Sequence, residues 1–232
     1  MRTLLTGVVV AAVLAFAAPG WAKGGPAPWR FAMSKGGKVL GRFDVNQVRN
    51  DEGVFATGFL YPGAAAVKDP GRPRPSLRSS AQLEKDGSLG KYKRWEAKGG
   101  KDLYWFAFVY EGVVKVRFEK GAGDKGRVKE AGKGEHVSPL DAGQPQLAWV
   151  LVATSTGDRE VSCIAARDET LGKATVRRGA EEQVDLPAGA KASLTRWDVK
   201  GDCGAYSIFV DKAGEPVVMV EGDTRYDRIA DK

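Results

Sequence analysis

The feature that most constrains this chain is an alternation of residue character with a period of two, broken at short intervals by tight-turn pairs. Val39, Gly41, Phe43 and Val45 alternate with Leu40, Arg42, Asp44 and Asn46, and Val114, Val116 and Phe118 alternate with Lys115, Arg117 and Glu119. Ser193, Thr195, Trp197 and Val199 alternate in the same way with Leu194, Arg196, Asp198 and Lys200. Successive side chains of a strand point to opposite faces, so this period marks strands with one buried and one wetted face. Gly36-Gly37, Asp51-Glu52-Gly53, Asp86-Gly87, Gly99-Gly100, Glu111-Gly112 and Ala213-Gly214 punctuate the runs. Such turns supply the positive φ that short hairpin connections need. The expected fold is therefore mainly β, a curved antiparallel sheet or half-barrel. At most one short helix is expected, between Pro139 and Thr156, where Ala148–Val152 reads equally well as a strand. Tyr61–Pro75, with Pro62, Pro70, Pro73 and Pro75, reads as a loop because proline removes ladder donors. Lys120–Ser138, rich in Gly, Lys and Glu, reads as a second loop joining two blocks of strands.

The N-terminus has a different character. Arg2 is the only charge before the apolar run Val8–Ala18, and Pro19, Gly20, Trp21 and Ala22 follow. A charged start, a short apolar core and small residues before a cut are the pattern of a secretory signal peptide. The run is shorter than the roughly 20 residues of a membrane-spanning helix. We therefore expect residues 1–22 to be removed, leaving 23–232 as one β-rich domain, periplasmic or secreted, with no transmembrane segment. Loss of Arg2 takes the formal net charge from +7 to +6. A basic exported chain is suited to an anionic envelope surface. Nucleic acid is not an expected partner, because no recognisable binding motif accompanies the charge.

Two cysteines and one histidine exclude several chemistries. Cys163 and Cys203 are the whole thiol complement, and an oxidising compartment favours a disulfide between them. Closing a loop of that length contributes about 4 kcal/mol in the chain-entropy model. Gly201-Asp202-Cys203-Gly204 also resembles the nucleophile loop of chymotrypsin-like cysteine proteases. Such an enzyme needs a histidine base upstream in its first barrel, and His136 lies past the middle of the chain. A Ser-His-carboxylate triad must also use His136, and no Gly-x-Ser-x-Gly elbow is present. One histidine and two cysteines fall short of a zinc set, and Gly121–Gly126 lacks the Lys-Ser/Thr ending of a phosphate loop. No catalytic residue, metal or cofactor is expected.

The run Leu103–Tyr110 stands apart. Tyr104, Phe106, Phe108 and Tyr110 share one face, and Leu103, Trp105, Ala107 and Val109 share the other. A strand apolar on both faces must be covered on both. One reading is a central strand in a filled core. The other is that one face lines a cavity, with Tyr104, Phe106 and Phe108 as ligand-lining candidates and Trp105 as the opposite-face choice.

Lys38–Val45, Gly179-Ala180-Glu181, Leu186-Pro187-Ala188-Gly189, Thr195–Val199 and Ile208-Phe209-Val210-Asp211 followed by Gly214 form a further pattern. It resembles a family of exported bacterial proteins known only as a domain of unknown function. The family's sheet is similar to the curved half-barrel of the LolA and LolB lipoprotein carriers. Phe209 stands where the family pattern has Trp, and a cysteine pair is not part of that pattern. The resemblance implies a concave sheet that binds an apolar or lipidic ligand. It carries over no catalytic residues. The competing expectation is a structural or interaction protein of the envelope without a small-molecule ligand.

Overall fold

The computed structural model describes residues 29–68, 74–121, 124–134 and 136–229. The expected signal peptide, residues 1–22, lies outside them. The strands of the first half are β1 (Trp29–Lys35), β2 (Lys38–Asn50), β3 (Gly53–Pro62), β4 (Leu77–Leu83), β5 (Leu89–Lys98), β6 (Lys101–Tyr110), β7 (Val113–Lys120) and β8 (Arg127–Lys133). Those of the second half are β9 (Val137–Pro139), β10 (Arg159–Ala165), β11 (Thr170–Asp185), β12 (Lys191–Gly201), β13 (Gly204–Val210), β14 (Pro216–Glu221) and β15 (Thr224–Arg228). Two short helices interrupt them, α1 (Ala65–Lys68) and α2 (Pro145–Ala153).

All fifteen strands form one sheet in the order β8-β7-β6-β5-β4-β3-β2-β1-β15-β14-β13-β12-β11-β10-β9. Two meanders run outward from the centre, where the first and last strands pair antiparallel, Met33 opposite Tyr226. The parallel pair β9–β10 is the exception to antiparallel order. All six turns expected from the sequence are hairpin connections. Gly36, Gly37, Gly99, Gly100, Glu111 and Gly112 hold the positive φ of two-residue turns.

The second expected loop is corrected. Lys120–Ser138 contains β8 and the start of β9. Its composition hid β8 because an edge strand exposes charge instead of alternating, and Arg127–Glu130 are all exposed. The first expected loop contains α1, whose Ala66 carbonyl accepts 2.8 Å from the buried Arg42 guanidinium.

The sheet curls until its ends meet, with β9 against β5 and β8 against β11. Side chains close the seam: Arg127 grips Glu169 at 2.5 and 3.1 Å, and Lys129 stands 3.8 Å from the same carboxylate. The concave face is filled by α2, whose residues from Pro145 to Val152 are all buried. A helix apolar all round needs cover on every side, and α2 packs on β3, β12, β13 and β14. Pro145 sits in its first turn, where a missing N–H costs nothing. Of the two readings of Ala148–Val152, the helix is the one found. No helix among the described residues is long and apolar enough to cross a membrane.

The approach to α2 is clamped by buried polar groups. Arg94 and Asp141 are 2% and 1% exposed. Arg94 Nη1 donates to the Ala142 carbonyl at 2.8 Å and lies 3.7 Å from the Asp141 carboxylate. The Arg167 N–H donates to Asp141 at 3.1 Å, and the Tyr206 hydroxyl donates to the Asp141 backbone carbonyl at 2.9 Å. Ser79, Gln144 and Gln146 bond one another over Gly58, where a Cβ would meet Gln146 Nε2 at 2.6 Å.

The Gly143 N–H reaches both oxygens of Glu221, at 2.9 and 3.0 Å. Burial raises the Glu221 carboxyl above its ordinary range, against the pull of the Gly143 N–H and the Tyr226 hydroxyl. The folded chain thus holds this proton more tightly than the unfolded chain. The stabilising contribution is full below the unfolded pKa of about 4.3 and is lost as pH rises through the folded value. Glu221→Gln keeps an acceptor for Gly143 and cannot ionise. It is expected to melt with the wild type near pH 4 and a few degrees above it near pH 8. A gap that shrinks with rising pH would contradict the assignment.

Candidate functional site

A cleft of about 470 Å³ opens beside the C-terminal end of α2. It exists because the sheet is notched there. β14 and β15 have six and five residues, whereas β2 has thirteen and continues past Trp29 to Gln47 and Arg49. The cleft is lined by Trp29 of β1, Trp149 and Val152 of α2, Trp197 of β12 and Val210 of β13, with Glu215 at its rim. Trp29 and Trp149 meet edge to face with centroids 4.5 Å apart. Arg228 spans the rim, 2.8 Å from Glu215 and 6.0 Å from the Trp29 ring. Two lining side chains hold buried polar atoms that meet no hydrogen-bond partner among the described residues, Trp149 Nε1 and Gln47 Oε1. Burial also lowers the Arg49 guanidinium from its ordinary value.

The sequence-predicted site residues lie away from this cleft; the expected placement of Tyr104, Phe106 and Phe108 on the concave face is corrected, and Trp105, the opposite-face choice, is the one that turns inward. Tyr104, Phe106 and Phe108 point to the convex face, where each is half-buried. Trp105 points inward and is buried, packed on Phe118 at 5.1 Å and beneath Arg94 at 5.9 Å. With apolar residues on both sides of β6, the sequence alone did not decide which side faces α2. The three tryptophans of the cleft were missed because they come from separate elements far apart in the chain, and no local motif joins them.

Cys163 and Cys203 are bonded, with Cα atoms 6.2 Å apart. The turn carrying Cys203 folds across β11 to reach β10. It does so over Gly172, where a Cβ would lie 2.5 Å from Asp202 Cβ, and the Asp202 carboxylate accepts the Lys173 N–H at 2.9 Å. With its sulfur in the bond, Cys203 is not a thiolate, which removes the protease reading of its loop.

A smaller recess of about 250 Å³ contains His136, Asp86, Ser88, Ser138 and Arg159. His136 Nδ1 lies 2.8 Å from the Asp86 carboxylate, the orienter-and-base half of a triad. The Ser138 hydroxyl donates instead to the Gly87 carbonyl at 3.0 Å. The imidazole is 77% exposed, so the pair acts as a surface tie between two loops.

No family model matches the chain, and no curated protein does. A solved structure from Brucella abortus is similar in fold. It is described as a beta-barrel-like protein of a domain of unknown function, DUF1849. The TM-score is 0.52 at 12% identity, covering 88% of this chain and 97% of that one. Identity that low establishes a shared fold and nothing about activity.

Proposed function

We propose that this chain is an exported binding protein that holds a small apolar or amphipathic molecule in the tryptophan-lined cleft, without catalysing a reaction on it. The observation carrying this reading is the pairing of three indoles with two unpartnered buried polar atoms in one concavity. Small-molecule sites combine an apolar lining with a few convergent polar groups, in this range of volume. A buried donor or acceptor without a partner costs about 1–3 kcal/mol, which a ligand supplying both contacts would offset. Arg49 at the cleft suits a ligand with an acidic end. The resemblance to the LolA and LolB half-barrels is consistent with a carrier, although here a helix takes the concave face and leaves only the notch. The signal-like N-terminus and the disulfide support export.

One observation favours the second reading, an envelope interaction protein without a small ligand: α2 already fills the concave face. A single experiment separates the two. The full chain is expressed in a bacterial host, recovered from the periplasm, weighed intact and titrated with the neutral probe N-phenyl-1-naphthylamine. We expect a mass beginning at Lys23 and saturable probe fluorescence. Trp29→Ala should weaken binding about ten-fold, since truncating an aromatic anchor typically costs a kcal/mol or more. Retention of residues 1–22 would remove the export reading. An unchanged probe signal, or one indifferent to Trp29→Ala, would leave the interaction reading in place.

A further inference from the structure

Three indoles around one cleft suit ligands of opposite charge, and the cations around them decide between the two. Clustered aromatic rings hold quaternary ammonium groups on their faces. Here the protein's own cations already stand against two of the rings. The Arg228 guanidinium lies 6.0 Å from the Trp29 ring. That of Arg178, opposite Trp197 on β11, lies 5.9 Å from the Trp197 ring. A third guanidinium, Arg49, belongs to the lining itself. Two acids lie among them. Glu215 is already paired with Arg228 at 2.8 Å, and Asp158 accepts the backbone N–H of Arg178, also at 2.8 Å. Neither reaches Arg49. Burial is the one influence that shifts its guanidinium, so Asp51 and Glu52 of the same hairpin do not answer it either. The hydrogen-bonding groups have the same bias. Trp149 is buried, and its Nε1–H meets no acceptor among the described residues. An indole and a guanidinium can only donate. Gln47, whose Oε1 is the unpartnered acceptor, offers a donor from the same amide by turning about its last bond.

Resting on the cleft as the binding site, we infer that its ligand is a single-tailed amphipathic anion, with a carboxylate on Arg49 and the tail against Trp29 and Trp149. A planar guanidinium and a carboxylate meet through two parallel hydrogen bonds, each assisted by charge. The cleft, of about 470 Å³, lies in the lower part of the range for ligand sites, which suits one tail and not two. A neutral ligand of the same shape leaves the Arg49 charge unanswered. A quaternary ammonium adds a fourth cation to a site that already has three.

The test uses three ligands that share one tail: decanoate, decanol and decyltrimethylammonium. Each is titrated into the full chain loaded with N-phenyl-1-naphthylamine, and displacement of the probe is followed. Decanoate should displace it at about ten-fold lower concentration than decanol, because a hydrogen bond to a charged group is worth about that much in affinity. The ammonium should be the weakest of the three, and added salt should narrow the gap between decanoate and decanol. Arg49→Gln should weaken decanoate about ten-fold and erase its advantage over decanol. Trp29→Ala should weaken both and keep the advantage. An unchanged melting temperature will show that Arg49→Gln is folded. Equal displacement by decanoate and decanol, or a preference for the ammonium, would overturn the inference and leave the cleft as a binding site. So would an Arg49→Gln protein that still prefers decanoate, or that binds both more weakly by the same factor. A wild type with no saturable probe binding would instead remove the cleft reading, and this inference with it.

Discussion

Arg94→Met is expected to lower the melting temperature by about 6–20 °C. Arg94 and Asp141 are both essentially sealed from water, and the guanidinium also holds the Ala142 carbonyl at the entry to α2. Removing one partner of a buried ion pair costs about 3–5 kcal/mol, because the remaining charge has neither water nor a counter-charge. For a domain of this size each kcal/mol is worth about 2–4 °C. Burial already raises the Asp141 carboxyl, with Arg94 as the main opposing influence. In the variant it should take up a proton well above the ordinary carboxylate range, which softens the loss without cancelling it. The double variant Arg94→Met/Asp141→Leu should recover part of the stability, since the sealed Asp141 charge is removed with its partner and only Glu96, which reaches water, is left without the guanidinium. The recovery is partial because the Arg167 N–H loses its acceptor. Thermal melts of the three proteins decide the matter. A wild-type melting point for Arg94→Met would mean that the clamp does not hold the helix in the sheet.

Removing the disulfide, by Cys163→Ala/Cys203→Ala, is expected to cost about 4 kcal/mol and some 8–16 °C. The bond closes a span of 40 residues, and the main effect is to restrict the unfolded chain. The folded chain should keep its shape, because β11 still pairs with both β10 and β12. The variant should therefore bind the cleft probe as the wild type does at 20 °C while melting much earlier. Equal melting of oxidised and reduced wild type would show that the staple adds nothing. Loss of probe binding in the folded variant would show that it shapes the cleft.

Much of the fold was legible because hairpin chemistry is local. Six turns were readable from Gly, Asp and Glu-Gly signals, since few residues accept positive φ. β7 was readable because its alternation survives in the structure, whereas in β2 it holds for Phe43 and Val45 but not for Val39, which is exposed, or Arg42, which is buried on the supposedly wetted face. β12 was half legible. Trp197 and Val199 face the core as expected, but Leu194 is buried on the other face with Val184 and Val218 in a satellite cluster. The long β11–β12 hairpin makes that second core by bending beyond the main one, which no period-two pattern records. β8 and β9 were missed because an edge strand of exposed charges and a three-residue strand look like loop.

The sequence by itself determined what depends on neighbours along the chain: strands, turns, one short helix and an all-β sheet. It also determined the only cysteine pairing available. Tertiary structure decided what depends on distant segments meeting. The aromatic strand β6 satisfies either orientation locally, and only packing against distant segments turned Trp105 inward, onto Phe118 and Arg94, and Tyr104, Phe106 and Phe108 outward. The cleft has the same origin. Its tryptophans sit at 29, 149 and 197, and they converge because the last strand pairs with the first while the short β14 and β15 leave the end of the helix uncovered.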